Sequence, residues 1–171
     1  MNQRFRASVA ILALLILSLG STTRAQAPAA PRLNFNGTWK LNIAKSAFDP
    51  APTPSSQTEI LNLSGDILSV DYSTKSDDGT QKYIYTLKFG ADETPYPKPV
   101  VNETPFALVS GKAEWKDNTI VIISKVTYQN SPGTMRSTYT LSPDGKTLTK
   151  TLFINLDMGD FTLQEVYDKT T

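Results

Sequence analysis

From about residue 36 to residue 168, apolar and polar side chains alternate with a period of two rather than 3.6, so the chain reads as strands. The alternation predicts strands near 36–42, 57–64, 66–75, 80–89, 106–116, 119–128, 134–142, 147–156 and 161–168. Between them stand explicit turn signals: Ser76-Asp77-Asp78-Gly79, Lys116-Asp117-Asn118, Ser131-Pro132-Gly133, Pro143-Asp144-Gly145 and Met158-Gly159-Asp160. Two longer connections are proline-rich, Asp49 to Ser56 and Ala91 to Pro105. Successive hairpins make a meander, and a meander of about eight to ten strands closes into a single antiparallel up-and-down barrel that removes its edges. A two-sheet sandwich is the alternative, but its crossovers need longer connections than most of these.

Each hairpin has a register that the alternation can test, because a slip of one residue exchanges the faces. Pairing Lys75 with Thr80 puts Tyr72 opposite Tyr83, Val70 opposite Tyr85 and Leu68 opposite Leu87. Pairing Trp115 with Ile120 puts Ala113 opposite Ile122, Gly111 opposite Ser124 and Val109 opposite Val126. Pairing Leu141 with Leu148 puts Tyr139 opposite Lys150, and pairing Leu156 with Phe161 puts Ile154 opposite Leu163 and Leu152 opposite Glu165. The apolar faces agree from hairpin to hairpin, which predicts one enclosed interior.

That interior carries polar groups at mid-strand: Gly111, Ser124, Tyr139, Lys150, then Glu165 or Tyr167. A buried charge needs a partner. Lys150 pairs either with Glu165, diagonally, or with the carboxylate of a guest. The candidate ligand site therefore has Lys150, Tyr139 and Ser124 at its polar end, and Tyr72, Tyr83, Tyr85, Leu87, Val109 and Ile122 along its apolar part. Gly111 and Ala113 leave room inside. The competing reading is a filled barrel whose Lys150–Glu165 pair is structural.

The first 25 residues change the address. Arg4 and Arg6 precede an apolar run, Ala7 to Leu19, too short to span a bilayer unaided, and small residues follow. This predicts a Sec signal peptide over 1–25, cleaved after Ala25, with cleavage after Ala27 disfavoured by Pro28. A Pro/Ala tether over 26–34 and a barrel domain over 35–171 complete the organisation, and the expected location is secreted or periplasmic. With no cysteine there is no disulfide and no lipoprotein anchor, so the 146 residues from Gln26 must be held by one core. Loss of Arg4, Arg6 and Arg24 moves the formal charge from +1 three units down to −2, with no basic run, which argues against nucleic acid. No second apolar span or basic amphipathic helix predicts stable membrane insertion after cleavage.

Gly37-Thr38-Trp39 opens the first strand and resembles the entry motif of lipocalin-like barrels. The stretch Asn36 to Asn42 with Ala44-Lys45-Ser46, the stretch Ser142 to Thr149, and the ending Glu165-Val166-Tyr167-Asp168-Lys169 also resemble a group of secreted bacterial lipocalin-like proteins of largely unassigned function. The resemblance implies a calycin-type β-barrel and, by analogy, small-molecule binding. It also implies a structural role for Gly37 and Trp39, with a late basic residue packed across the indole. Arg136 shares the outward phase of Thr138 and Thr140, which leaves Lys150 and Lys169 as rivals for that place.

Three function classes follow. The leading one is a carrier or sensor of a small lipophilic or amphipathic molecule, with no cofactor. The second is a protein-interaction module, such as an inhibitor of a secreted hydrolase, acting through the 91–105 loop. The third is a hydrolase or isomerase at the barrel mouth with Lys150 or Tyr139 as acid or base, which needs a Lys150 pKa near neutrality. The absence of His and Cys removes the commonest metal sites and nucleophile pairs, and no catalytic motif is present, so an enzyme is not expected. Asp77-Asp78, Asp92-Glu93 and Asp157 with Asp160 read as turn or loop carboxylates and not as metal ligands.

Overall fold

The computed structural model describes residues 32–77, 79–98 and 105–170. The expected signal peptide, residues 26–31 of the tether, Asp78, and residues 99–104 of the long loop lie outside them. Ten antiparallel strands follow the alternation: β1 Gly37–Leu41, β2 Ser56–Ser64, β3 Ile67–Ser76, β4 Gly79–Lys88, β5 Thr94–Pro95, β6 Phe106–Lys116, β7 Thr119–Tyr128, β8 Ser131–Leu141, β9 Thr147–Leu156 and β10 Gly159–Lys169. They pair in the order β4-β3-β2-β1-β10-β9-β8-β7-β6-β5, an up-and-down meander in which only β1 and β10 are joined out of sequence. Just past β4, Phe89 forms a parallel bridge to Ala113 of β6, and Gly90 N–H donates to the Ala113 carbonyl at 3.1 Å. At the other end of the same seam the Gln81 side chain donates to the Phe106 carbonyl at 3.2 Å. The sheet is thereby a nearly closed barrel.

One end of the interior is solidly packed. Gly37, at φ +146°, brings the chain into β1 in a conformation that side-chain-bearing residues rarely adopt. Trp39 is wholly buried and its indole N–H donates to the Phe35 carbonyl at 2.9 Å. Phe35 meets Trp115 edge to face and Phe89 stacks on it, contacts worth about 0.5–1.5 kcal/mol each beyond their burial. Lys169, not Arg136 or Lys150, lies over the Trp39 ring, 5.0 Å from its centre. It is the residue directly across from Trp39 in the β1–β10 ladder, whereas Arg136 is exposed.

The expected registers hold for β3–β4 and β8–β9, and for β6–β7 from Lys116 back to Gly111. Two expectations are corrected. A β-bulge between Leu108 and Ser110 puts Leu108, not Val109, opposite Val126; Val109 turns outward, 45 % exposed, and leaves the interior. In the last hairpin Leu156 pairs with Gly159 and not Phe161, because Gly159 at φ +128° closes a tighter turn than the sequence suggested. The ladder slips by two residues, so the faces are preserved while the partners change. Lys150 then stands directly opposite Glu165, not diagonal to it.

Candidate functional site

A cavity of about 440 Å³ opens from mid-barrel toward the end that carries the β3–β4, β7–β8 and β9–β10 turns. Its mouth is bordered by the proline-rich connection before β2 (Phe48, Pro50, Ala51, Pro52, Pro54) and by Phe106, Tyr128, Met158 and Phe161. Below the mouth lie Met135, Leu152, Ile154, Leu156 and Leu163, all buried. Alternation on β8, β9 and β10 turns these side chains inward.

The floor of the cavity is a buried polar cluster. Lys150 Nζ lies 3.3 Å from Glu59 Oε2 and 3.5 Å from Glu165 Oε2. Tyr139 donates its hydroxyl to Glu59 Oε1 at 2.6 Å, and Tyr167 donates to Glu165 Oε2 at 2.6 Å. Gln57 donates to the Tyr167 hydroxyl and accepts from Tyr72 at 3.3 Å. The ammonium also sits 5.0 Å from the Tyr72 ring centre and 5.3 Å from that of Tyr139, within cation–π range. Burial alone pulls the Lys150 pKa down, but the charges of Glu59 and Glu165 push it above the ordinary lysine range. Burial pushes the Tyr72, Tyr85, Tyr139 and Tyr167 hydroxyls up, with the neighbouring carboxylates adding to it. Lys150 is thus a fixed cation, the reverse of what acid–base work near neutral pH requires.

Of the residues singled out in the sequence, Lys150, Tyr139, Ser124, Tyr72, Tyr83, Tyr85 and Ile122 line this one cavity. Val109 does not, for the reason of the bulge, and Leu87 belongs to the packed core. Glu59 was not foreseen. It shares the inward face of β2 with Gln57, Leu61 and the half-buried Leu63, but Ile60 on the opposite face blurs the alternation. Its place across from Trp39 depends on a β1–β2 register that the long connection between those strands does not fix from sequence.

The long loop also departs from expectation. Its first part is stitched to the barrel: Thr94 and Pro95 pair with Gly111 and Ser110, and Tyr96 N–H donates to the Val109 carbonyl at 2.9 Å. Glu93 accepts from the Ser110 hydroxyl and meets Lys125 at 2.9 Å, which lowers its carboxyl pKa. Tyr96 enters the interior, 8 % exposed, with its ring 4.5 Å from that of Tyr85 and its hydroxyl 3.0 Å from Ser124 Oγ. Gly111 leaves room as expected, but the phenol of Tyr96 fills that room. A Cβ at Gly111 would stand 2.0 Å from the Tyr96 hydroxyl oxygen. Gly111→Ala is therefore expected to cost about 1–3 kcal/mol, the range of overpacked interiors. In urea denaturation the same substitution should cost much less when Tyr96 is already Ala, since the two sites share one space.

No family model matches the chain, and no curated protein matches it. Among solved structures it is similar to zebrafish ileal bile acid-binding protein crystallised with cholic acid. That match has a TM-score of 0.50 at 13 % identity and covers 80 % of this chain and 98 % of the other. The likeness is one of fold: a calycin-type barrel.

Proposed function

We propose that the protein binds a small hydrophobic or amphipathic molecule inside the barrel, as a carrier or sensor exported by its N-terminal signal peptide. The observation that carries the reading is the cavity itself: about 440 Å³, within the range of small-molecule sites, apolar along its wall and polar at its floor. The similar zebrafish barrel, crystallised with cholic acid, adds support by analogy of fold. A partner-binding module would be favoured by a filled interior and an exposed apolar 95–106 segment. Here Tyr96 is buried and Phe106 lines the cavity.

The test is titration with a neutral solvatochromic dye. A saturable 1:1 signal is expected, and Ser137→Trp, which places an indole in the cavity, should abolish it while the β-sheet circular dichroism is retained. A ligand at about 100 times its Kd should also add about 2.7 kcal/mol of stability. A dye signal that Ser137→Trp leaves intact would place the binding elsewhere and overturn the reading.

A further inference from the structure

The polar floor of the cavity has a sign. We infer, resting on the reading of the cavity as a ligand site, that the guest carries a protonated amine on an apolar body, and that Glu165 receives it. Two carboxylates, Glu59 and Glu165, face a single ammonium, Lys150, so the cluster holds one formal negative charge in excess. Its one cation is already shared between those carboxylates, and Tyr139 donates to Glu59 and Tyr167 to Glu165. Nothing cationic is left over for an acidic guest, which would bring a third carboxylate to one ammonium.

What the floor offers instead is acceptors. Glu59 is wholly buried beneath the cavity, but Glu165 lines it. Among the described residues, Glu165 Oε1 takes no hydrogen bond, while Oε2 accepts from Tyr167 and faces Lys150. Ser137, 2 % exposed, lines the same cavity beside it. The rings of Tyr72 and Tyr85 in the same wall add faces that attract cations and repel carboxylates. An ammonium on Glu165 makes the charge count even and gives Oε1 a donor.

The experiment compares decylamine, decanol and decanoate at neutral pH by calorimetry on the wild-type protein and on Glu165→Gln. The three probes share a chain and differ in the head. Decylamine is expected to bind about tenfold or more tighter than decanol, with decanoate weakest. In Glu165→Gln the amine's advantage over decanol should shrink to about threefold or less. Decanoate binding as tightly as decylamine overturns the inference, as does an amine preference that Glu165→Gln leaves intact. Equal binding of amine and alcohol removes the cation while leaving the cavity reading in place. Binding of none of the three removes the cavity reading and the inference together. Should Glu165→Gln not fold, the wild-type order decides alone.

Discussion

Lys150→Met is expected to destabilise the barrel by about 3–5 kcal/mol at neutral pH, the cost of leaving buried charge without its partner. The residue lost is 5 % exposed and its ammonium stands between Glu59 and Glu165. Methionine fills the same space, so packing is largely conserved and the deficit is electrostatic. The two carboxylates then face each other across the floor of the cavity with only tyrosine hydroxyls to offset them. Adding Glu59→Gln should recover a good part of the loss, because removing both members of a buried pair is cheaper than removing one. Urea denaturation of the single and double variants measures this directly. A Lys150→Met variant as stable as wild type would mean that the cluster is well hydrated and that its ionic floor is not a fixed feature of the barrel.

The second large effect is a steep loss of stability at alkaline pH. Tyr72, Tyr85, Tyr139, Tyr167 and Lys150 all have folded-state pKa values above their ordinary ones. Tyr96 is pushed up to about 12, chiefly by burial. Below the unfolded-state values these groups are protonated in both states, so their contribution is fully present. Above pH ~10 the unfolded chain releases protons that the folded barrel retains, and stability falls by about 1.4 kcal/mol per pH unit for each such group. Several groups acting together make the fall steep. Tyrosinate absorbance from this set should therefore rise only together with loss of β-sheet circular dichroism. Tyrosines that all titrate before unfolding would contradict the enclosed cluster.

The barrel was legible because the alternation fixes faces, and because turns such as Lys116-Asp117-Asn118 announce themselves. Faces are not registers, however. The last hairpin slips by two residues at Gly159 without disturbing any face, so the apolar pattern carries no signal of it. The bulge at Val109 breaks the alternation where Leu108 and Val109 are both apolar, and either side chain satisfies the pattern. Of the polar floor, Lys150, Tyr139 and Glu165 were legible as inward charges and hydroxyls at mid-strand. Glu59 was not, because the strand that carries it reaches the cluster through closure of β1 on both β2 and β10. Tyr96 lies beyond any periodicity argument. It is a loop side chain that fills a gap left by a glycine 15 residues further along the chain, and only the folded structure brings the two together.

The central claim is that the interior of this barrel is a place for a guest. The most direct test is native mass spectrometry of the protein purified from the cells that make it. The expected spectrum shows a 1:1 non-covalent adduct, released on denaturation, whose mass is that of a small amphiphile. Absence of an adduct, together with no uptake of added amines, alcohols or fatty acids, would contradict the claim and leave the cavity as a feature of packing.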